Sequence, residues 1–188
     1  MSMKVTAAPS VEPCTAAEVK LIARMTATGL DSLIASDYIP AARRACEQRT
    51  QRYLNTQTVT LTLEDWPHGD CIDIPRGPIL SVTSIVYRDT TGSSQTLSSS
   101  WYEFKQVSDS VPPEIALLPG YSWPALGDYE DAVIVTMQAG YGATAAHVPH
   151  DLRMWVMAAA GEMVRTGSLD IPRDFAAGLL DAQSILSA

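Results

Sequence analysis

His147-x-x-His150-Asp151 is the grouping in this sequence nearest to a metal site. Zinc sites use four ligands at set spacings, and no third or fourth ligand stands close to these imidazoles. Asp151 is equally at home as an acid in the first turn of a helix, where the helix dipole favours negative charge. Gly140-Tyr141-Gly142 follows a strand-like run, as a nucleotide-binding turn would, but a third glycine, a P-loop lysine and an immediate helix start are missing. Glycine there reads as a positive-φ position that lets the chain leave a sheet. Asp128, Glu130 and Asp131 lie near Trp123, and paired carboxylates beside an aromatic ring can cleave glycosides. A wet acidic loop is the plainer reading of the same residues. No serine occupies a G-x-S-x-G elbow, and no Cys/His pair has a recognisable setting. Cysteines 14, 46 and 71 are odd in number with no C-x-x-C, so three free thiols are expected, Cys46 on a helix and Cys71 within a strand. The side-chain chemistry therefore points away from an enzyme, and neither a metal nor a cofactor is expected.

Charge carries more information. The net charge is −8, and it is unevenly spread. Residues 1–54 carry 7 basic and 5 acidic side chains, residues 55–148 carry 3 and 11, and residues 149–188 carry 3 and 5. An acidic middle segment is a poor match for a nucleic-acid backbone, which calls for a basic surface. It suits a surface that repels DNA or meets a basic partner. Glu64, Asp65, Asp128, Glu130 and Asp131 are the candidate acidic channel or partner surface. Arg43, Arg44, Arg49 and Arg52 form a basic stripe on a predicted helix. One reading makes it a solvated face balanced by Glu47; the other makes it a contact with an acidic partner subunit or with DNA.

The elements that must position these charges follow from periodicity. At 188 residues and 46% hydrophobic content, the chain has the size and apolar material for a packed core without disulfides. No apolar run approaches the roughly 20 residues of a membrane span, and the N-terminal residues lack the continuous apolar segment of a signal peptide, so residence in the cytosol or in a particle assembled there is expected. Thr15-Ala16-Ala17-Glu18 has the form of a capping box opening a short helix from about Ala16 to Met25. A second helical region runs from Asp31 to about Leu54, with Pro40 either kinking it or starting a new helix at its first turn. From Thr56 the period changes to two. Strands are expected around Val59–Leu63, Ile72–Ile74 and Ile79–Arg88, the first three forming one antiparallel set. Weaker or later strands follow at Gln95–Leu97, Trp101–Val107, Glu114–Leu118 (an edge strand) and Ala132–Gln138. After Pro149 the helical period returns through Leu152, Trp155, Val156, Ala159 and Met163, stopped by Gly167. A last amphipathic helix, from about Asp174 to Leu186, uses Phe175, Leu179 and Leu180, which are further candidate interface residues. The predicted class is α+β: a helical bundle of N- and C-terminal helices (residues 1–55 and 148–188) with a small antiparallel β module (56–147) inserted.

Several motifs, in this order, carry a resemblance. They are Thr15-Ala16-Ala17-Glu18-Val19-Lys20, Asp31-Ser32-Leu33-Ile34, and Ile74-Pro75-Arg76-Gly77-Pro78-Ile79 with Ser81-Val82-Thr83-Ser84-Ile85 and Tyr87. Trp123-Pro124, Ala139-Gly140-Tyr141-Gly142 and Val148-Pro149 follow. Over nearly its whole length the chain resembles the head–tail connector (adaptor, or head-completion) proteins of long-tailed bacteriophages and gene transfer agents, in the version with a β insertion. The resemblance implies a structural virion protein, made in the host bacterial cytoplasm and placed at the virion neck. It implies a dodecameric ring, monomeric until assembly, bound below the portal protein and presenting a surface to a downstream stopper or tail-completion protein. DNA would pass through without specific recognition, and no membrane is involved. Identical subunits in a ring meet through unlike faces; the basic helix and the acidic β module are candidates for those faces, and the same acids are candidates for lining the channel. The alternatives are another neck or tail-completion protein, or a small carbohydrate-binding or hydrolytic domain using Trp123 and its neighbouring acids.

Overall fold

The computed structural model describes residues 1–26, 28–106, 108 and 111–167. It divides into two compact units, which over the described residues are Met1–Pro9 with Gln57–Gly140, and Ser10–Thr56 with residues 141–167.

The first unit holds eight antiparallel strands in two sheets. These are β1 (Ser2–Ala7), β2 (Gln57–Leu63), β3 (Cys71–Asp73), β4 (Ile79–Arg88), β5 (Ser94–Thr96), β6 (Tyr102–Lys105), β7 (Glu114–Leu117) and β8 (Val133–Ala139). The five-stranded sheet runs β1-β2-β8-β4-β5, and the three-stranded sheet runs β3-β7-β6. Strand β8 sits at the middle of the larger sheet because it alternates cleanly. Val133, Val135, Met137 and Ala139 are fully buried, while Ile134, Thr136 and Gln138 point the other way. Its register on β2 places Met137 opposite Val59, Val135 opposite Leu61 and Val133 opposite Leu63. All of these apolar partners share one face, so the register is held by burial: a one-residue slip would turn the whole set outward.

The expected helical bundle with a small β insertion is corrected by this architecture. Two antiparallel sheets of eight strands make the described chain mainly β-rich. The N-terminal segment is a principal reason. Its first residues form β1 along β2, Met3 opposite Leu61 and Val5 opposite Val59, in place of joining a helical bundle. Two strand expectations also change. β2, β3 and β4 do not pair as one set, since β2 and β4 flank β8 while β3 pairs with β7 in the other sheet. β7 is the centre of its sheet, and its Ile115, Ala116 and Leu117 are all buried.

The second unit packs its helices around Ile34, Ile39, Ala42, Cys46, Leu54, Leu152, Trp155 and Val156, all essentially inaccessible to solvent. Helix α1 (Ala16–Ile22) opens with the full capping box. Thr15 Oγ1 accepts from the Glu18 N–H at 3.3 Å, and the Thr15 N–H donates to the Glu18 carboxylate at 2.8 Å. A short helix α2 (Asp31–Leu33) widens into a π-helical stretch, Ile34–Tyr38, that runs into α3 (Ile39–Thr50). The π turn resolves the Pro40 question. Proline falls at the second position of α3, directly after the π-helical stretch, and the helical backbone continues through it without a break. Helix α3 ends at Gln51 in the left-handed conformation, short of the Leu54 expected. Helix α4 (His150–Thr166) stops at Gly167, whose φ of 74° suits glycine and whose N–H closes on the Met163 carbonyl. The expected helix over 174–186, with Phe175, Leu179 and Leu180, lies outside the described residues.

Candidate functional site

Two charged surfaces are the features that function can use, and each is built by its own unit. On α3 the buried positions are Ile39, Ala42, Arg43, Cys46, Glu47 and Thr50. This spacing is the inner stripe of an amphipathic helix, yet it contains an arginine and a glutamate. Arg43 therefore turns inward: its Nε donates to Glu12 at 2.8 Å and its Nη1 to Glu47 at 3.1 Å. The other Glu47 oxygen accepts the Leu54 N–H at 3.0 Å, tying down the chain just after it leaves the helix. Arg52 is also inside, 2% exposed, with a guanidinium N–H donated to the Tyr141 hydroxyl at 2.7 Å.

Of the four predicted arginines, the structure thus leaves Arg44 and Arg49 on the solvent side. Arg49 lies over the Trp155 ring at 5.7 Å. With Gln48 and Gln51, they make an outer face of α3 carrying two positive charges, and its acid, Glu47, is 4% exposed and spent internally. The balancing acid that would have neutralised this face points away from it.

In the β unit, a depression of about 530 Å³ lies on the outward face of β1, β2 and β8. Thr60, Thr62 and Ile134 line it, each the outward member of an alternating strand. Glu64 comes from the end of β2, and Glu130 and Asp131 from the loop before β8, because both strand ends finish at the same margin of the sheet. Lys4 and the N-terminus enter from β1, with the Met1 ammonium 4.0 Å from Glu64. Asp131 is shared with Arg88 in an ion pair of 2.9 Å. So Glu64, Glu130 and Asp131 come together, while Asp65 and Asp128 are exposed and outside this depression. Sequence reading missed Met1, Lys4, Thr60 and Thr62 as lining residues. The available signal was the alternation Met1, Met3, Val5 against Ser2, Lys4, Thr6, which marks a strand beginning at the first residues.

The chemistry weighed from the sequence takes different forms here. His147 Nδ1 lies 2.8 Å from the Thr144 hydroxyl in a local capping arrangement. Among the described residues no three His, Cys, Asp or Glu side chains group as a metal site. Gly142 has no room for a side chain, since a Cβ there would meet His147 Cγ at 2.5 Å. Trp123 stacks on Trp66 at 4.5 Å, and each indole N–H is donated to a backbone carbonyl, Pro124 for Trp66 and Gly69 for Trp123. That pair staples two loops. Cys14, Cys46 and Cys71 are free thiols, and burial pushes both Cys14 and Cys46 up to about 12, which keeps them protonated and unreactive. No helix among the described residues is long and apolar enough to cross a membrane.

No protein-family model and no curated protein sequence matches the chain. Solved structures do. A chain from the virion of a native gene transfer agent (GTA) particle superposes with a TM-score of 0.81 at 24% identity. A chain from the neck of an empty GTA particle computed with C6 symmetry gives 0.80 at 22%. A third, from the neck of a native GTA particle computed with C12 symmetry, gives 0.73 at 22%. In every case the match covers 100% of this chain and 97% of the other. The two-unit, β-rich fold described above is therefore the fold of these particle chains.

Proposed function

We propose that the protein is a structural component of a virion neck, a head–tail connector that assembles with copies of itself into a ring, a dodecamer, beneath the portal. The observation that carries this reading is the likeness of fold over the entire chain to chains of GTA particles, two of them from necks computed with ring symmetry. The charge distribution supports it. The acidic β unit offers no basic track to hold a phosphate backbone, which suits DNA passing through without specific recognition. Above the ring it meets the portal protein; below, a stopper or tail-completion protein. Its work is mechanical and needs no catalytic side chain.

The test is made in particles. Deleting the gene should leave DNA-filled heads without tails, and complementing with a tagged chain should restore tails and place the tag in a ring at the head–tail junction by electron microscopy. Tailed particles assembled without the chain, or a tag found elsewhere, would remove the reading.

A further inference from the structure

We propose that β1 is exchanged between neighbouring copies in the ring: Ser2–Ala7 of one chain leaves its own β2 and seats on β2 of the next. The interaction surface is the outer edge of β2, and its occupant is the β1 strand of a second copy. This rests on the ring-forming neck reading and names a contact that links the subunits.

β1 is lightly held in the larger sheet. It stands at the sheet edge and pairs with β2 alone, and a bulge between Val5 and Ala7 breaks its register. Five of its six residues are exposed, and Val5 remains 44% exposed although it lies directly opposite the buried Val59. β2 is fixed on its other side by seven residue pairs to β8, and five of its seven residues are buried. It therefore stays in place as a docking edge when β1 departs.

The chain beyond β1 is tethered for such a move. Glu12 receives the Arg43 guanidinium at 2.8 Å and the Pro13 carbonyl receives Arg153 Nε at 2.9 Å, so the helical unit grips the chain from Glu12 onward. Between β1 and that grip lie residues 8–11, with Pro9 among them and the other three exposed. A short hinge of this kind invites exchange of a terminal strand, because the hinge alone changes conformation while the strand pairs are made again in the partner. Each copy then gives one strand and receives one. That is the meeting of unlike surfaces which a ring of identical chains requires. Held apart from other copies, the chain closes β1 on its own β2, as it does here.

Disulfide trapping decides it. Lys4 and Thr60 stand opposite each other across β1 and β2, so K4C and T60C are made singly and together. All carry C71S, because Cys71 is the native thiol that is not buried. The full-length chains are supplied to particles lacking their own copy, and the purified particles are oxidised and run on gels without reductant. The double variant is expected to give a ladder of cross-linked chains. The same chain, purified and oxidised while dilute and monomeric, should close its disulfide internally. Particles assembled from equal amounts of the K4C and T60C chains should give cross-linked dimers, and particles of either single variant none. Should K4C/T60C fail to yield tailed particles, S2C/T62C, the adjacent pair on the same face, replaces it.

A double variant that closes only internally in tailed particles, with no ladder and no dimer from the mixture, would overturn the exchange and leave the neck reading standing. Tailed particles made without the chain would remove the neck reading, and the exchange in a ring with it.

Discussion

Arg43 and Glu47 stand one helical turn apart, with side chains 6% and 5% exposed, and the environment decides what their charges are worth. At a surface such an i,i+4 pair contributes a few tenths of a kcal/mol, but inside the protein the loss of one partner leaves a buried charge uncompensated. Arg43 keeps Glu12 when Glu47 is lost, so Glu47→Ala should lower stability by about 1–3 kcal/mol in urea unfolding at neutral pH, chiefly because the buried Leu54 N–H loses its acceptor. Replacing Arg43 and Glu47 together by methionine and leucine should not recover that loss, because the Leu54 N–H still lacks its acceptor and Glu12 loses Arg43, whereas Arg44→Ala should stay within about 0.5 kcal/mol of the parent. Asp89 is a carboxylate of a different kind. Only partly exposed, it accepts from the Thr91 hydroxyl, the Gln95 amide and the backbone N–H groups of Thr91 and Ser93, which together hold it down at about 2. Because the folded value lies below the ordinary 3.8, the stabilisation is complete above that pH and is lost as the pH falls from there toward 2. Carboxyl NMR should find its midpoint near 2, and in Asp89→Asn the β4–β5 turn should no longer respond across that window.

At the scale of elements, α1 depends on its first turn. Thr15 and Glu18 close the capping box, and Glu18 also receives the Arg153 guanidinium of α4 at 3.0 Å, so the cap and the helix pairing share a residue. The backbone N–H of Thr15, first among the causes, holds the Glu18 carboxyl below its usual range. Thr15→Ala should cost about 0.5–2 kcal/mol in thermal or urea unfolding. This cap was legible in the sequence because its partners are three residues apart. So were the glycine stop at 167, the start of α4, the alternation of β2 and the β-branched run of β4. β1 carries an alternation of its own in Ser2, Lys4 and Thr6 against Met3 and Val5, and it ends before Pro9. The π turn before Pro40 was not legible: a proline in a helical run can be met by a kink, a new start or a widened turn, and packing of Ile34 and Ile39 into the core selects among them.

For the whole molecule, the sum of the charges matters less than where folding sends each one. The same 21 acidic and 13 basic residues could decorate a surface evenly. In this fold Glu12 and Glu47 are spent on Arg43, leaving a positive outer face on α3, while Glu64, Glu130 and Asp131 collect at one margin of the larger sheet. By itself the sequence determined the periods of most elements, their main caps and stops, the acidity of the middle segment and the absence of a recognisable catalytic motif, all of which are local or additive properties. Tertiary structure alone decided that the fold is chiefly two sheets, that β8 lies between β2 and β4, that Arg43 and Arg52 are inside, and which three acids share a hollow. Those outcomes turn on contacts between residues far apart in the chain, such as Leu61 with Val135. A local pattern can say which side of an element is apolar, but not which distant element will cover it.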